Sequence, residues 1–248
     1  MFEPVIKWSG SKRSQAENIL TYFPKEIDTY YEPFCGGASV LRRLLSSDIK
    51  ANRYVCSDLN SGLIDLWNEI INNPERVSSY YKKLWNELNQ DDDKQRKKEY
   101  FATVRERYNR EHNPLDFMFI MRTTTNGMPR YNRNGEFNNS FHVTRNGIIP
   151  ETFEKIIFEW SQLLKQNDVK FISCSYEDIK PTENDYMYLD PPYANTKGMY
   201  YGTIDYEKFW DYLRQLPCRY ALSFPTKEMA EDFMNTFKDL LEIAKPLI

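Results

Sequence analysis

The sequence predicts an α/β fold built on an open parallel sheet of the nucleotide-binding kind, interrupted by a helical and hairpin insertion. Three stretches predict it. Tyr30-Tyr31-Glu32-Pro33-Phe34 is strand-like and runs into Cys35-Gly36-Gly37-Ala38-Ser39, then a helical pattern over residues 40–45. Strand, glycine turn, helix is how such folds open. Arg53-Tyr54-Val55-Cys56-Ser57-Asp58 reads as a second strand ending in an acid. The apolar run Tyr186-Met187-Tyr188-Leu189 stops at Asp190-Pro191-Pro192-Tyr193, where two prolines end any strand and fix the backbone beyond it.

At 248 residues, 41% of them hydrophobic, the chain can bury one sizeable core and carry a second small domain or a large insertion. A mean hydropathy of −0.70 and the lack of any apolar run of about 18 residues argue against a membrane protein. Met1-Phe2-Glu3-Pro4 lacks the basic-then-apolar pattern of a signal peptide, so a cytoplasmic location is expected, as in bacteria or phage. Cys35, Cys56, Cys174 and Cys218 are widely spaced and the chain has two histidines; reduced core thiols are expected, with no metal site. A net charge of −3 does not advertise nucleic-acid binding, but its distribution does. Residues 117–150 hold Arg122, Arg130, Arg133 and Arg145 against Glu136 alone, a local excess of positive charge.

In chain order, Val5-Ile6-Lys7-Trp8-Ser9-Gly10-Ser11-Lys12 leads into a helical pattern marked by Ile19, Leu20, Tyr22 and Phe23. The small residues make a loop whose N–H groups can approach an anion. Trp8 and Lys12 flank it and suit an adenine or sulfonium and a carboxylate, though Gly/Ser loops are common ahead of helices. Gly36 and Gly37 let a ligand lie against the backbone; GxGxxG is absent, so a nicotinamide cofactor is not indicated. Asp58 is either an acceptor for ribose hydroxyls or an N-cap of the helical run Leu63, Ile64, Leu66, Trp67, Ile70, Ile71. Residues 74–110 hold two amphipathic helices, with Val77, Tyr80, Tyr81, Leu84, Trp85 and Leu88, then Tyr100, Phe101, Val104 and Tyr108 at helical spacing. Asp91-Asp92-Asp93 reads as a solvated loop and helix start between them.

Residues 121–147 change character and become rich in Asn, Arg, Thr and Gly. Asn134-Gly135 is a strong hairpin signal. Arginine can bridge guanine O6 and N7, and asparagine adenine N6 and N7. The absence of a hydrophobic stripe favours a reading surface over a plain hairpin. Beyond Pro150 come a helix over 153–164, strands over 169–173 and 186–190, a helix over 206–216, a strand over 219–224 and a last helix over 226–241. The α/β domain thus covers residues 1–60 and 150–248, with the insertion at 61–149.

The strand end at Asp190 carries the most specific chemistry. Asp190 and the Pro191 carbonyl can accept the two hydrogens of an exocyclic amine, and Tyr193 can stack on the ring that bears it. Open α/β sheets bind ligands at that edge. An Asp-Pro-Pro turn alone is an ordinary capped strand end; Tyr193 and the other stretches favour the site.

Together, Lys7-Trp8-Ser9-Gly10-Ser11-Lys12, Glu32-Pro33-Phe34-Cys35-Gly36-Gly37, Ser57-Asp58, the block from Asn126 through Asn138, and Asp190-Pro191-Pro192-Tyr193 resemble the Dam-type DNA adenine-N6 methyltransferases, with motifs in the order cofactor, target recognition, catalysis. The resemblance covers about residues 5–224 and implies a Rossmann-like class I methyltransferase sheet with an inserted helical plus β-hairpin DNA-recognition domain. It implies S-adenosylmethionine as cofactor. By position, Trp8 and Lys12 would line its methionine end. Phe34, Cys35, Gly36 and Gly37 would lie under it, Asp58 would hold its ribose, and Cys174, Ser175 and Tyr176 would pass its adenine. Asp190 would sit between cofactor and target amine, with Pro191, Pro192 and Tyr193 completing the catalytic motif. Lys7 and Arg130 would contact bases, Asn126 and Met128 would lie at the disrupted base stack, and Asn132, Arg133 and Phe141 would complete the DNA-binding set.

The implied reaction is direct methyl transfer to a flipped-out adenine in double-stranded DNA, at GATC or a related short site, with or without a restriction partner. Where relatives carry a Pro-Phe-Gly-like turn, Ser140-Phe141-His142 stands here; Thr123-Thr124-Thr125 and Pro129 replace residues often aromatic or aliphatic. The chain ends at Ile248, where relatives commonly add a terminal hairpin. The expected partner is DNA alone, with no membrane and no metal, the protein being a monomer that meets a second copy on palindromic sites. Two alternatives stand beside this: an amino methyltransferase acting on cytosine N4 or RNA adenine, and a non-catalytic DNA-binding homologue.

Overall fold

The computed structural model describes residues 3–144, 146–192 and 204–224, with 228, 230 and 231. In chain order its elements are α1 (Ala16–Leu20), β1 (Glu26–Glu32), α2 (Ser39–Leu44), β2 (Lys50–Asp58), α3 (Ser61–Asn72), α4 (Pro74–Leu88), α5 (Lys94–Glu111), α6 (Pro114–Thr123), α7 (Pro150–Gln166), β3 (Lys170–Ser173), β4 (Tyr186–Leu189), α8 (Tyr206–Gln215) and β5 (Arg219–Leu222). The chain forms two compact units. Of the described residues, those in 12–59, 168–192 and 204–231 make a sheet unit, and those in 3–11 and 60–167 a helical unit.

That division differs from the expected one at 60 and 150. Residues 3–11 and α7 belong with the helices because their side chains are committed there. Trp160 on α7 packs on Trp67 of α3 with ring centroids 4.9 Å apart, and its indole N–H donates to the Glu3 carbonyl at 3.1 Å. Tyr81 of α4 and Phe153 of α7 lie 4.0 Å apart.

In the sheet unit the strand order is β3-β2-β1-β4-β5 and every pairing is parallel. The chain winds outward from β1 through β2 to β3, then returns to the other side of β1 for β4. The switch point, where such sheets bind ligands beyond their C-terminal ends, lies between β1 and β4. All four residues of β4 are buried, as expected of a strand covered on both faces. A core of Tyr176, Ile179, Met187, Leu189, Phe209, Leu213 and Cys218 packs around it. β1 starts earlier than the expected 30–34 and ends at Glu32, because Pro33 has no N–H to continue the ladder. The helix expected over 226–241 lies almost wholly outside the described residues.

In the helical unit α4 and α5 fall where the aromatic spacing puts them. Asp93 caps α5, its carboxylate accepting from the N–H groups of Gln95 and Arg96, so the acidic cluster is the helix start it was expected to be. α6 is new. All ten of its residues save Pro114 are buried, and a helix apolar all round shows no amphipathic period. It also buries Asp116 completely, held by the Arg107 guanidinium (Nε–Oδ2 2.7 Å) and the Tyr80 hydroxyl at 2.8 Å. Among the described residues no helix is long and apolar enough to cross a membrane.

Candidate active site and nucleic-acid interface

The sheet unit gathers most of its candidate residues at the C-terminal ends of four adjacent strands, β3, β2, β1 and β4. Past β1, Gly36 and Ala38 take left-handed backbone angles (φ 46° and 51°), a conformation that favours glycine. The turn is pinned by Cys35 N–H donating to the Ser57 carbonyl at 3.0 Å and Ala38 N–H to Cys35 at 2.7 Å. Asp58, ending β2, accepts the Gly36 N–H at 3.2 Å. The cap of α3 is instead Asn60, whose side chain accepts from Leu63, so capping does not account for Asp58. Phe34 is half-buried and packs on Tyr176 (5.6 Å) and Phe209 (6.1 Å).

Past β4, both oxygens of Asp190 are taken by the Lys12 ammonium, at 2.7 and 2.6 Å. Both side chains are largely shielded, which strengthens a charge-assisted pair. Tyr206 donates to the Pro192 carbonyl at 2.8 Å, so α8 clamps the Pro-Pro turn, a contact that nothing in the sequence signalled. Tyr193 lies outside the described residues. One further acid stands at this edge. Glu32 is 3% exposed and accepts the Tyr30 hydroxyl at 2.7 Å. Burial, opposed by that hydrogen bond and reinforced by the Asp190 charge, pushes its carboxyl up to about 8. Cys35 and Cys56 are buried, and burial raises both thiols well above their ordinary range.

The expected adenine segment divides. Cys174 and Ser175 are half-buried, the latter bracing its own turn by accepting from Glu177 N–H and donating its N–H to Asp178. Tyr176, expected to touch cofactor, is a core residue at 8% exposure, ringed by Phe34, Phe209 and Tyr212. Its aromatic bulk fills the space beneath Phe34.

In the helical unit the hairpin is present. The Thr123 carbonyl accepts from His142, Thr125 N–H donates to Ser140, the Arg130 carbonyl accepts from Asn138, and Asn132 N–H donates to Glu136. Its tip is a three-residue loop rather than an Asn-Gly pair: Gly135 N–H returns to the Asn132 carbonyl at 3.0 Å and Gly135 has φ 78°, a type I turn closed by a left-handed glycine. Asn126 (φ 60°) and Gly127 (φ 63°) turn the first strand. Gly127 accepts from Ser9 N–H at 3.1 Å, and a β carbon there would meet the Lys7 β carbon at 2.5 Å. Lys7 is thereby docked against Asn126-Gly127. Trp8 meets Phe117 edge-on at 6.5 Å.

Asn126, Arg130 and Arg133 are exposed, and Lys7 and Met128 half-buried, so these can present side chains outward. Three expectations change. Phe141 is 8% exposed and stacks on Phe101 at 5.6 Å; it anchors the hairpin instead of facing DNA. Asn132 spends its amide inside the turn, accepting from Asn134 and Glu136 N–H and donating to the Glu136 carboxylate. Arg122 is buried, donates to the Pro4 and Val5 carbonyls and lies over the Phe153 ring, so it adds nothing to the surface charge. The hairpin also has the apolar face it was expected to lack, in Phe137 and Phe141. Arg145 lies outside the described residues. Among the described residues no group of three His, Cys, Asp or Glu side chains could hold a metal.

A parallel sheet with a glycine turn after β1, an acid at the end of β2 and Asp-Pro-Pro after β4 defines a class: open α/β proteins whose ligand edge lies at the switch point of the sheet. The chain belongs to the D12 class N6 adenine-specific DNA methyltransferase family, whose model matches residues 8–244. It is 32% identical over 206 residues to the type II methyltransferase M.MjaIII of Methanocaldococcus jannaschii, covering 77% of this chain and 69% of that protein. It is 29% identical over 241 residues to the modification methylase StsI of Streptococcus sanguinis, 90% of this chain but 35% of that one. A DNA adenine methylase of Vibrio cholerae is 29% identical over 195 residues, 76% of this chain and 64% of its own length. The chain thus spans from about a third to about two thirds of these relatives. The family implies a methyl donor.

Proposed function

We propose that the protein is a site-specific DNA adenine-N6 methyltransferase that moves a methyl group from S-adenosylmethionine to a flipped-out adenine in duplex DNA, at GATC or a related short site. The observation that carries this reading is the sheet's switch point, where β4 brings Asp190, Pro191 and Pro192, β1 the Gly36-Gly37 turn, and β2 Asp58. The groups suit the cofactor: a carboxylate for the ribose hydroxyls, a left-handed turn at Gly36, the half-buried Phe34 ring, and an ammonium on Lys12 for the methionine carboxylate. S-adenosylmethionine, when bound, supplies an electrophilic methyl group on a sulfonium.

A base inside a duplex cannot reach a strand-edge pocket, so the adenine leaves the stack. Asp190 and the Pro191 carbonyl accept its two N6 hydrogens and turn the nitrogen lone pair toward the methyl carbon; Tyr193 stacks on its face. With the donor bound, N6 would take the methyl group from the sulfonium, S-adenosylhomocysteine would leave, and Asp190 would receive the N6 proton along its hydrogen bond and pass it to water. Positioning and electrostatics supply most of the rate. Because Lys12 holds both Asp190 oxygens, an incoming amine must share or displace that ammonium. The helical unit's Lys7, Asn126, Met128, Arg130 and Arg133 read the site, and duplex DNA is the partner.

The test is transfer from labelled S-adenosylmethionine to unmethylated duplex DNA, followed by nucleoside digestion and sequencing of the modified sites. N6-methyladenine at one short motif is expected. N4-methylcytosine, or DNA binding with no label transferred, would overturn the assignment.

A further inference from the structure

We propose that Asn109, with Arg105 one turn before it on α5, splints the recognition hairpin, and that this positioning sets how sharply the protein tells one base pair from another. The inference rests on the reading of the hairpin as the DNA-contacting part. Asn109 donates its Nδ2–H to the Phe137 carbonyl at 2.9 Å, and its Oδ1 accepts the Phe137 N–H at 2.8 Å. One side chain therefore satisfies both backbone groups of one hairpin residue, as a neighbouring strand would. Arg105 donates to the Asn139 carbonyl at 3.1 Å. Four residues of helix rise about 6 Å and two of strand about 6.6 Å, so an i, i+4 pair on α5 meets alternate residues of the strand in register.

What the splint holds is the reading edge. Phe137 stands opposite Tyr131, and the next residue, Asn138, donates its N–H to the Arg130 carbonyl at 2.9 Å. Asn139 passes the restraint to the other turn, its Nδ2 donating to the carbonyls of Thr125 and Met128 at 3.2 and 2.9 Å, on either side of Asn126-Gly127. Beside these bonds α5 and the hairpin part around a cleft of about 630 Å³; Phe137 and Phe141 pack on Tyr108 and Phe101 of the same helix, and the side-chain bonds fix the strand's register along it. Bidentate base contacts lose strength quickly as donor and acceptor move out of line.

The experiment defines its DNA site by selection from a randomised duplex pool with the wild-type protein, so the site exists with or without methyl transfer. Binding to that duplex and to duplexes with one base pair changed is followed by fluorescence anisotropy, alongside S-adenosylmethionine affinity. N109A is expected to lower the discrimination ratio about tenfold with cofactor affinity unchanged. N109D keeps the acceptor for Phe137 N–H but loses the donor, and should fall between. Wild-type discrimination in N109A, or N109D no better than N109A, overturns the proposal, as does a wild-type protein that binds all duplexes alike. Should N109A not fold, wild-type discrimination in N109D overturns it. Absence of methyl transfer by the wild type sinks only the enzymatic reading, because discrimination is measured without it.

Discussion

In the sheet unit the candidate groups sit where parallel strands stop, and the backbone itself places them. Glu32, Asp58 and Asp190 stand at the ends of β1, β2 and β4, with a left-handed turn at Gly36 and two prolines after Asp190. In the helical unit the candidate groups ride on a hairpin whose own ladder is sparse, and side chains from outside it do the placing: Asn109 and Arg105 from α5, and Asn60, whose amide donates to the Tyr131 hydroxyl at 2.8 Å. The first arrangement tolerates little change and suits fixed chemistry. The second depends on side chains from elsewhere in the chain, so exchanging a few polar residues there alters how the hairpin is held. The same contrast shows in how each unit keeps a buried acid. Asp116 has the Arg107 guanidinium, whereas Glu32 has neutral donors, the Tyr30 hydroxyl and the Leu41 backbone N–H.

The largest test of this contrast is Asp190→Ala. It should lower the rate of methyl transfer about a thousandfold or more while DNA discrimination by the hairpin stays intact. Radiolabel incorporation and anisotropy on the same duplex read the two separately; transfer near the wild-type rate would remove Asp190 from the chemistry.

Next in size is Asp116→Ala in the helical unit. Taking one partner from a buried pair strands the other, at a cost of about 3 kcal/mol, because Asp116 is wholly buried and Arg107 only partly exposed. Urea denaturation should show the loss, with cofactor affinity unchanged at the folded protein. A cost near that of a surface pair would mean that water reaches Asp116.

The hairpin docking gives a smaller effect. Gly127→Ala forces a β carbon onto Lys7 at a positive φ, at a cost of about 2 kcal/mol. The variant should melt lower and lose base discrimination together, because Lys7 and Asn126 move with it. Unchanged discrimination would separate Lys7 from the reading edge.

The difference between the units also explains what could be read from the sequence. Strand ends announce themselves: Asp190-Pro191-Pro192 and Cys35-Gly36-Gly37 are local signals with a local physical cause, and both fall where expected. Strand order could be argued only from fold class, and no periodicity marks α6, since its residues are buried on every side. At the hairpin, polar composition suggested a reading surface throughout, yet Asn132 serves the turn and Phe141 the core. Whether an asparagine faces a base or a backbone is decided by partners elsewhere in the chain, which a stretch of sequence does not reveal. Asn109 shows the same from the other side: on α5 it looks like any half-buried helix residue.

The finest test concerns Glu32 and reads the contrast in buried acids directly. Its carboxyl is raised from an ordinary 4.5 to about 8, chiefly by burial. The folded protein therefore binds this proton where the unfolded chain has lost it. A raised acid contributes stability that is complete below about 4.5 and is lost as pH rises through about 8, so stability should fall across that window and level off above it. The steepest slope one proton allows is about 1.4 kcal/mol per pH unit. Glu32→Gln keeps an acceptor for the Tyr30 hydroxyl and removes the titration, and its urea midpoint should lose that slope. A slope that survives in Glu32→Gln would mean that Glu32 is ionised in the folded protein at neutral pH, and that the candidate site carries a second buried negative charge beside Asp190.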